Sequence, residues 1–193
     1  MGVGGSTGTV LNRSLMGMRA LIARSLAEVR FTKGVQHRER FQVSEFIEDF
    51  AAAATLEANA RGIKLVVLPV EPGLALDADR QVLGAVLGNL LQNAFKFTRP
   101  DTTVTLTVIG SPERVLIEVE DECGGFPGGI ITEMFRLFEQ RSIDRTGLGL
   151  GLAFSRWGVE ANNGRIYARN IPERGCVFTL DLPRVGVPAS VVV

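Results

Sequence analysis

The sequence predicts an α+β fold: a mixed, mostly antiparallel sheet with helices packed on one face, preceded by one long helix. Two pairs of segments alternate apolar and polar residues and are joined by short turns, which is typical of β-hairpins. These pairs are 102–109 with 114–120, and 165–169 with 176–182. Before and between them, apolar residues recur every three to four positions, which indicates amphipathic helices. Hairpins interspersed with such helices favour one layer of helices on one sheet.

The composition is that of a globular domain with a short extension. Of the 193 residues, 46% are apolar and 22% are charged, which suffices for a buried core. Lys and Arg number 21, as do Asp and Glu, and this zero net charge argues against a nucleic-acid or anionic-membrane binder. Two cysteines outside any CxxC pair predict reduced thiols in a cytoplasmic protein. No apolar run reaches the roughly 18 residues that a membrane-spanning helix needs.

The chain ends are predicted to lie outside the sheet domain. Residues 1–10 are Gly-rich, lack the basic flank and apolar run of a signal peptide, and are expected to be disordered. Residues 11–31 place a single apolar stripe on a helix that ends near Lys33 and Gly34, and this stripe needs a partner helix. Its members are Leu11, Leu15, Met18, Ile22, Leu26 and Val29. Residues 185–193 are expected to form a loosely held tail.

The other elements follow in order. They are a strand at 40–43, a helix at 44–60, strands at 63–68 and 74–76, a helix ending near 97, and a helix at 149–162. Ser44 is the predicted N-cap of the first of these helices, and Asp77 or Asp79 caps the second. The apolar, β-branched segment 63–68 predicts a buried strand. Residues 122–146 show neither the helical period of three to four residues nor the strand period of two, and they are predicted to be irregular.

A polar stripe crosses the long helix that ends near 97. Asn89, Asn93 and Lys96 are four and three residues apart, so they share one helical face. Asparagine oxygens suit Mg²⁺ and a lysine suits phosphate. The alternative is a solvated polar face, but apolar residues crowd the rest of this helix, which favours a binding role.

A second motif stands where the strand 114–120 ends. Asp121 is followed by Cys123, Gly124 and Gly125. A carboxylate at a strand end can accept a hydrogen bond from an exocyclic amine, and glycines let a flat ring approach the backbone. Alone the motif is weak, because turns with Asp and Gly are common.

A third motif leads directly into a helix. Gly147, Gly149 and Gly151 alternate with leucines, and backbone N–H groups at a helix start can cradle phosphate. The spacing fits neither a Rossmann fingerprint nor a P-loop. A flexible loop is the alternative, which the alternating leucines disfavour.

Together, in this order, the motifs resemble the nucleotide-binding boxes of two-component sensor histidine kinases, whose Bergerat-type fold is shared with gyrase, heat-shock chaperone and mismatch-repair ATPases. The similar segments are 89–97 for the N box, 121–125 for the first glycine box, 135–138 for the F box and 147–152 for the second glycine box. The resemblance covers about 40–184, the predicted ATP-binding catalytic domain. Residues 11–36 resemble the second helix of the dimerisation and phosphoacceptor hairpin.

The resemblance implies binding of Mg²⁺ and ATP and transfer of the γ-phosphoryl group to a histidine. Asn93 would hold Mg²⁺ with help from Asn89, Lys96 would contact a phosphate, and Asn89 and Lys96 would take part in catalysis. Asp121 would bind the adenine amine. The residues expected to shape the ring pocket and the phosphate cradle are Gly125, Gly147, Gly149 and Gly151. Residues 126–146 would form a lid over ATP, with Arg141 and Arg145 as phosphate contacts.

The implied partners are a second copy through the N-terminal helix, a phosphoacceptor hairpin and a response regulator. Three features depart from the family pattern. Cys123 stands where the first glycine of DxGxG is usual, and Cys176 stands where a threonine often sits. The chain also carries no histidine box, and its single histidine, His37, is expected to be a solvated linker residue.

Two alternatives stay open. In ATP hydrolases of the gyrase and chaperone type a glutamate acts as general base where Asn89 stands, and an amide cannot take a proton at neutral pH, which argues against hydrolysis. A regulatory module that binds nucleotide without transfer is the other alternative. The presence of Asn93, Lys96 and Asp121 speaks against it, but the absent acceptor keeps it open.

Overall fold

A computed structural model describes residues 37–125 and 151–186. The elements in chain order are β1 (Arg38–Gln42), α1 (Val43–Ala60), β2 (Lys64–Val67), β3 (Ala75–Asp79), α2 (Arg80–Phe97), β4 (Thr103–Gly110), β5 (Arg114–Asp121), α3 (Gly151–Ala161), β6 (Arg165–Ile171) and β7 (Gly175–Val185). The predicted helix at 11–36, the lid and the tail beyond 186 lie outside the described residues. None of the described helices is long and apolar enough to cross a membrane.

The strands form one seven-stranded sheet in the order β1-β3-β7-β5-β4-β2, with β6 also paired to β7. Among the described strands only β2 and β4 are parallel, so the predicted mixed, mostly antiparallel sheet is confirmed. The eleven-residue strand β7 pairs with β5 along one edge and with both β6 and β3 along the other. It is therefore the central strand to which most of the sheet is bonded.

The three described helices form a layer with α2 in the middle. Helix α1 approaches α2 where a Cβ on Gly84 would lie 2.5 Å from the Phe50 ring. Helix α3 approaches it where a Cβ on Gly158 would lie 2.9 Å from Val82 and Val86. Both glycines thus permit close helix packing, and they hold α2 between its neighbours.

The core fills the space between this layer and the sheet. Along β5, Val115, Ile117 and Val119 are fully buried, because alternate side chains of a strand point to one face. Asp121 is the next residue in that alternation. The strand period therefore directs a carboxylate into the buried side of the sheet at the end of β5.

Two sequence predictions about helix starts have different outcomes. Ser44 is not an N-cap, because α1 begins at Val43 with Gln42 in the cap position and no side-chain cap. The Val43 N–H donates instead to the backbone oxygen of Leu74, at 2.9 Å, so this donor is satisfied without a capping side chain. For α2 the cap is Asp79, whose Oδ1 accepts from the Val82 N–H at 3.0 Å.

The segment predicted as a buried strand is only half-buried. Strand β2 pairs with β4 alone and forms an edge of the sheet, and its first residue, Lys64, is exposed. The prediction was wrong because a short apolar run does not distinguish a central strand from an edge strand.

Asp79 anchors the N-terminal end of α2 in a buried network. It is 1% exposed, and its Oδ2 accepts from the backbone N–H of His37 at 3.2 Å. Its own N–H donates to Asn162 Oδ1 at 2.7 Å, and Asn162 Nδ2 donates to the Gly158 oxygen at 2.8 Å. The network ties β3, α2 and α3 together and fixes the start of the described chain.

Candidate functional site

Three elements that carry residues singled out by the sequence are packed together, since α2 lies against both β5 and α3. Asp121 comes from β5, Asn89 and Asn93 from α2, and Gly151 from α3. The last turn of α2 is tied to the segment after β5, because the Glu122 N–H donates to Thr98 Oγ1 at 3.2 Å.

Asp121 is a buried carboxylate held on one side. It is 2% exposed, and the backbone N–H groups of Cys123 and Cys176 both donate to its Oδ1, at 3.0 and 3.3 Å. The Cys123 side chain is a further hydrogen-bond partner of this carboxylate. Burial raises the pKa of the Asp121 carboxyl above its ordinary value, and the hydrogen bonds from Cys123 and Cys176 oppose that rise. Both backbone donors thus reach the same oxygen, Oδ1.

A turn of bare backbone follows Asp121. Gly124 and Gly125 have φ angles of +93° and +85°, which favour glycine, and the Gly124 N–H donates to the Arg174 oxygen at 3.0 Å. Cys123 is not among the residues with positive φ, so a side chain is tolerated where the family pattern has its first glycine. The side chains nearest to this turn are Arg99, against Gly124, and Asn170, against Gly125.

Asn89 braces α2 against the start of α3. Its Nδ2 donates to Ser155 Oγ at 2.9 Å, and Ser155 Oγ donates to the Gly151 oxygen at 3.0 Å. A Cβ on residue 151 would lie 2.5 Å from Asn89 Oδ1, so this contact requires glycine. The polar stripe of α2 and the N-terminus of α3, a position suited to anions, are thereby brought side by side.

Asn93 and Lys96 continue the stripe away from this contact. Asn93 is half-buried one turn beyond Asn89, and Lys96 is exposed with its Nζ 5.1 Å from the centre of the Phe97 ring. The stripe thus runs from the start of α3 to the exposed end of α2. It offers amide oxygens first and an ammonium group last.

The donor set fits a magnesium ion and an adenine nucleotide. Mg²⁺ takes hard oxygen ligands, and usually one or two from protein with the rest from water and phosphate, which Asn93 and the Oδ1 of Asn89 can supply. The Asp121 carboxylate is the kind of acceptor that an exocyclic amine on a flat ring requires. The ring site and the amide stripe are joined by the Thr98 contact.

Several predicted site residues lie outside the described residues, namely Arg141, Arg145, Gly147, Gly149 and the segment 135–138. Sequence reasoning in turn missed Ser155 and Gly175. Ser155 follows Gly151 by four residues, one helical turn, which was a usable signal. Gly175 had none: a Cβ there would clash with the backbone oxygen of Asp121, a close approach visible only in the folded sheet.

Comparison with known proteins places the chain in a family. A model described as histidine kinase-, DNA gyrase B- and HSP90-like ATPase matches residues 78–186, more than half of the chain. The sensor protein KdpD of Mycobacterium tuberculosis is 33% identical over 180 residues, which cover 89% of this chain and 21% of KdpD. The chain thus spans about a fifth of the length of that relative.

Solved structures share the fold. Full-length ShkA, in complex with AMPPNP, superposes with a TM-score of 0.74 at 24% identity, over 98% of this chain and 40% of ShkA. The histidine kinase ThkA, in complex with the response regulator protein TrrA, gives 0.71 at 20% identity, over 96% of this chain and 53% of the solved one. Since the family model matches more than half of the chain and the matched relative is a sensor protein, the chain belongs to the histidine kinase-, DNA gyrase B- and HSP90-like ATPase family, as a catalytic ATP-binding domain of the sensor histidine-kinase type.

Proposed function

We propose that this domain binds Mg²⁺ and ATP between α2, α3 and the end of β5, and that it passes the γ-phosphoryl group to a histidine of a phosphoacceptor hairpin. The observation that carries the proposal is the buried Asp121, whose Oδ1 is held by two backbone N–H groups. Its other oxygen is directed to the exocyclic amine of adenine. The glycine turn at Gly124 and Gly125 then receives the face of the ring.

The phosphates lie along the polar stripe in this proposal. Asn93, with the Oδ1 of Asn89, holds the metal ion, and Lys96 contacts a phosphate at the exposed end of α2. The start of α3 at Gly151, with Gly147 and Gly149 before it, supplies backbone N–H groups. The lid 126–146 adds Arg141 and Arg145. Bound Mg²⁺ neutralises phosphate charge.

The chain contributes positioning and charge stabilisation to the reaction, because phosphoryl transfer requires little covalent chemistry from the protein. Asn89 donates through Nδ2 to Ser155 and offers no proton-accepting group. We therefore expect ATP turnover far below the ordinary enzyme range of about 1 to 10³ s⁻¹ in the absence of an acceptor.

The acceptor is a histidine other than His37. The His37 N–H is bonded to Asp79, the N-cap of α2, whereas Asn93 lies 14 positions further along that helix. At 1.5 Å per residue this is about 21 Å of helix, so His37 cannot reach a phosphate held at Asn93 in the same domain. The phosphoacceptor hairpin, a second copy bound through residues 11–36 and a response regulator are the proposed partners, in line with the ThkA–TrrA complex. The proposed location is the cytoplasm, which supplies ATP.

The first test of this proposal is titration with a fluorescent ATP analogue, with and without Mg²⁺. Asn93→Ala should bind with an affinity that no longer depends on Mg²⁺. Gln92→Ala is the matched control, because Gln92 is the exposed preceding residue of the same helix. Equal Mg²⁺ dependence in all three proteins would contradict the proposed metal site.

The second test is phosphotransfer from γ-labelled ATP. The chain alone should acquire no acid-labile label, and a separate acceptor hairpin should become labelled on its histidine. Label on His37 would overturn the assigned acceptor. Binding of ATP with no label on any supplied hairpin would favour the regulatory module.

A further inference from the structure

The two cysteines of the chain meet beside Asp121. Cys123 Sγ lies 3.3 Å from Cys176 Sγ, and neither residue forms a disulfide. They are the only cysteines in the sequence. A disulfide has an S–S distance of about 2.05 Å, so an approach of little more than 1 Å would join them.

The same two residues hold the carboxylate. Their backbone N–H groups are the two donors to Asp121 Oδ1, and the carboxylate and both Sγ atoms lie within 4.8 Å of one another. The backbone around them is closely packed. The Gly124 N–H donates to the backbone oxygen of Arg174, and Gly175 lies against the backbone oxygen of Asp121. A covalent link between these residues would therefore act on the two groups that orient Asp121.

The pair is chemically asymmetric. Cys176 is fully buried, whereas Cys123 is partly exposed and its Sγ accepts the Gly125 N–H at 3.4 Å. The contact with the Cys176 thiol, with a smaller contribution from the Gly125 N–H, lowers the pKa of Cys123, against the opposing effects of burial and Asp121. Cys123 is thus the thiol that an oxidant can reach and whose ionisation is favoured, and Cys176 is the thiol placed to resolve it.

We propose that Cys123 and Cys176 form a redox-modification site for small hydroperoxides, and that their disulfide weakens nucleotide binding. The Cys123 thiolate attacks the peroxide and breaks its O–O bond, which gives a sulfenic acid and, with hydrogen peroxide and one proton, water. Cys176 then attacks the sulfenic sulfur, the S–O bond breaks, and a disulfide and a second water form. Both thiols are oxidised and one peroxide is reduced.

The effect on binding rests on the proposed nucleotide site, whereas the cross-link itself does not. Closing the S–S bond draws Cys176 Sγ away from Asn170 Oδ1, which is now 3.3 Å from it, and pulls the turn after β5 toward β7. The two N–H donors on Oδ1 shift with it. Asp121 then loses the orientation that its second oxygen needs to meet an adenine amine.

The chemical test uses the full chain with one equivalent of hydrogen peroxide and a metal chelator in every buffer. Mass spectrometry of the unreduced tryptic digest should detect peptides 115–136 and 175–184 joined, lighter by two hydrogen atoms than the separate pair. Cys123→Ser and Cys176→Ser should give no such species. Oxidation that stops at Cys123, or disulfides found only between two chains, would overturn the proposal.

The functional test compares affinity for the ATP analogue before oxidation, after it, and after dithiothreitol. Oxidation should weaken binding about tenfold, equivalent to about 1.4 kcal/mol, and reduction should restore it. In Cys176→Ser the affinity before and after oxidation should be the same, whatever its starting value. A quantitative cross-link with unchanged affinity would refute the coupling. Absence of binding in the reduced protein would instead count against the proposed nucleotide site and leave the linked peptide as the test of the redox site.

Discussion

Two aspartates, Asp79 and Asp121, end strands β3 and β5, which lie on either side of β7, and both are almost completely buried. Asp79 has both carboxylate oxygens engaged by the fold, Oδ1 by the Val82 N–H and Oδ2 by the His37 N–H. Asp121 has two donors as well, but both reach Oδ1. Two aspartates that both end a strand thus differ in how the fold engages their carboxylates.

A structural carboxylate and a ligand-binding one can be distinguished by which of their oxygens accept hydrogen bonds from the fold. A buried acceptor whose oxygens are all used stabilises the chain that donates to it. A buried carboxylate whose backbone donors all reach one oxygen bears a desolvation cost that a ligand donor at the other oxygen would reduce, and the raised pKa of Asp121 is a sign of that cost. We therefore expect substitutions at the two sites to have opposite profiles, in stability at Asp79 and in binding at Asp121.

The largest effect on stability should come from Asp79→Ala. The change removes a helix N-cap, worth about 1 kcal/mol, and a second buried acceptor of similar worth, so the free energy of unfolding should fall by about 2 kcal/mol. Urea unfolding followed by circular dichroism measures this. Asp77→Ala is the matched control, because Asp77 lies in the same strand with only an exposed ion pair to Arg38, and it should change stability by less than about 1 kcal/mol. Equal losses of stability in Asp79→Ala and Asp77→Ala would contradict the structural role assigned to Asp79.

A smaller effect, on nucleotide affinity, is expected from Gly151→Ala. The added Cβ would meet Asn89 Oδ1 at 2.5 Å and displace the amide from Ser155. Loss of one hydrogen bond of about 1 kcal/mol should weaken binding of the ATP analogue about fivefold. Gly88→Ala, on the helix that carries Asn89, meets no heavy atom within 4 Å and should leave affinity unchanged while raising stability by up to about 1 kcal/mol. A loss of affinity in the control alone would contradict this account of Asn89.

The smallest effect is a pH dependence of stability at Asp121. Because its folded-state pKa is raised above the ordinary 3.8, the carboxyl contributes most favourably below pH 3.8, and that contribution is lost as pH rises through the folded pKa. Asp121→Asn should therefore be more stable than the wild type at pH 7, and the difference should shrink as pH falls toward 3.8. Unfolding curves of the wild type and of Asp121→Asn at several pH values test this. The contributions of the other carboxyl groups cancel in the difference between the two free energies of unfolding. A difference that grows on acidification would reverse the sign argued here.

Much of the fold followed from period and turn chemistry. The first hairpin and the long helix α2 were predicted almost to the residue, because strict alternation over eight residues and a long apolar stripe leave little ambiguity. The second hairpin was located correctly, but both of its strands extend beyond their predicted ends, to Ile171 and Val185. The start of α1 was not predictable, since the Val43 N–H is satisfied by Leu74, a partner distant in sequence. The edge position of β2 was missed for the same reason, because it depends on which strands pair.

The site was predictable where residue type carries the chemistry. Asn89 and Asn93 were singled out as a polar stripe on an otherwise apolar helix, and Asp121 as a carboxylate that ends a strand before a glycine turn. Their supports were not predictable, because the Gly175 contact and the meeting of Cys123 with Cys176 arise from sheet pairing between β5 and β7. Pairing of distant strands cannot be deduced from the spacing of residues in either one.

The most direct measurement compares ATP with purine riboside triphosphate, which lacks the exocyclic amine, in the wild type and in Asp121→Asn. The wild type should bind ATP at least about tenfold more tightly, because a hydrogen bond to a charged group contributes about 1.5 to 3 kcal/mol. In Asp121→Asn the preference should fall close to one, since the carboxylate that accepts from the amine is gone. If both proteins show the same preference, Asp121 does not recognise the amine, and the contrast between the two aspartates does not hold.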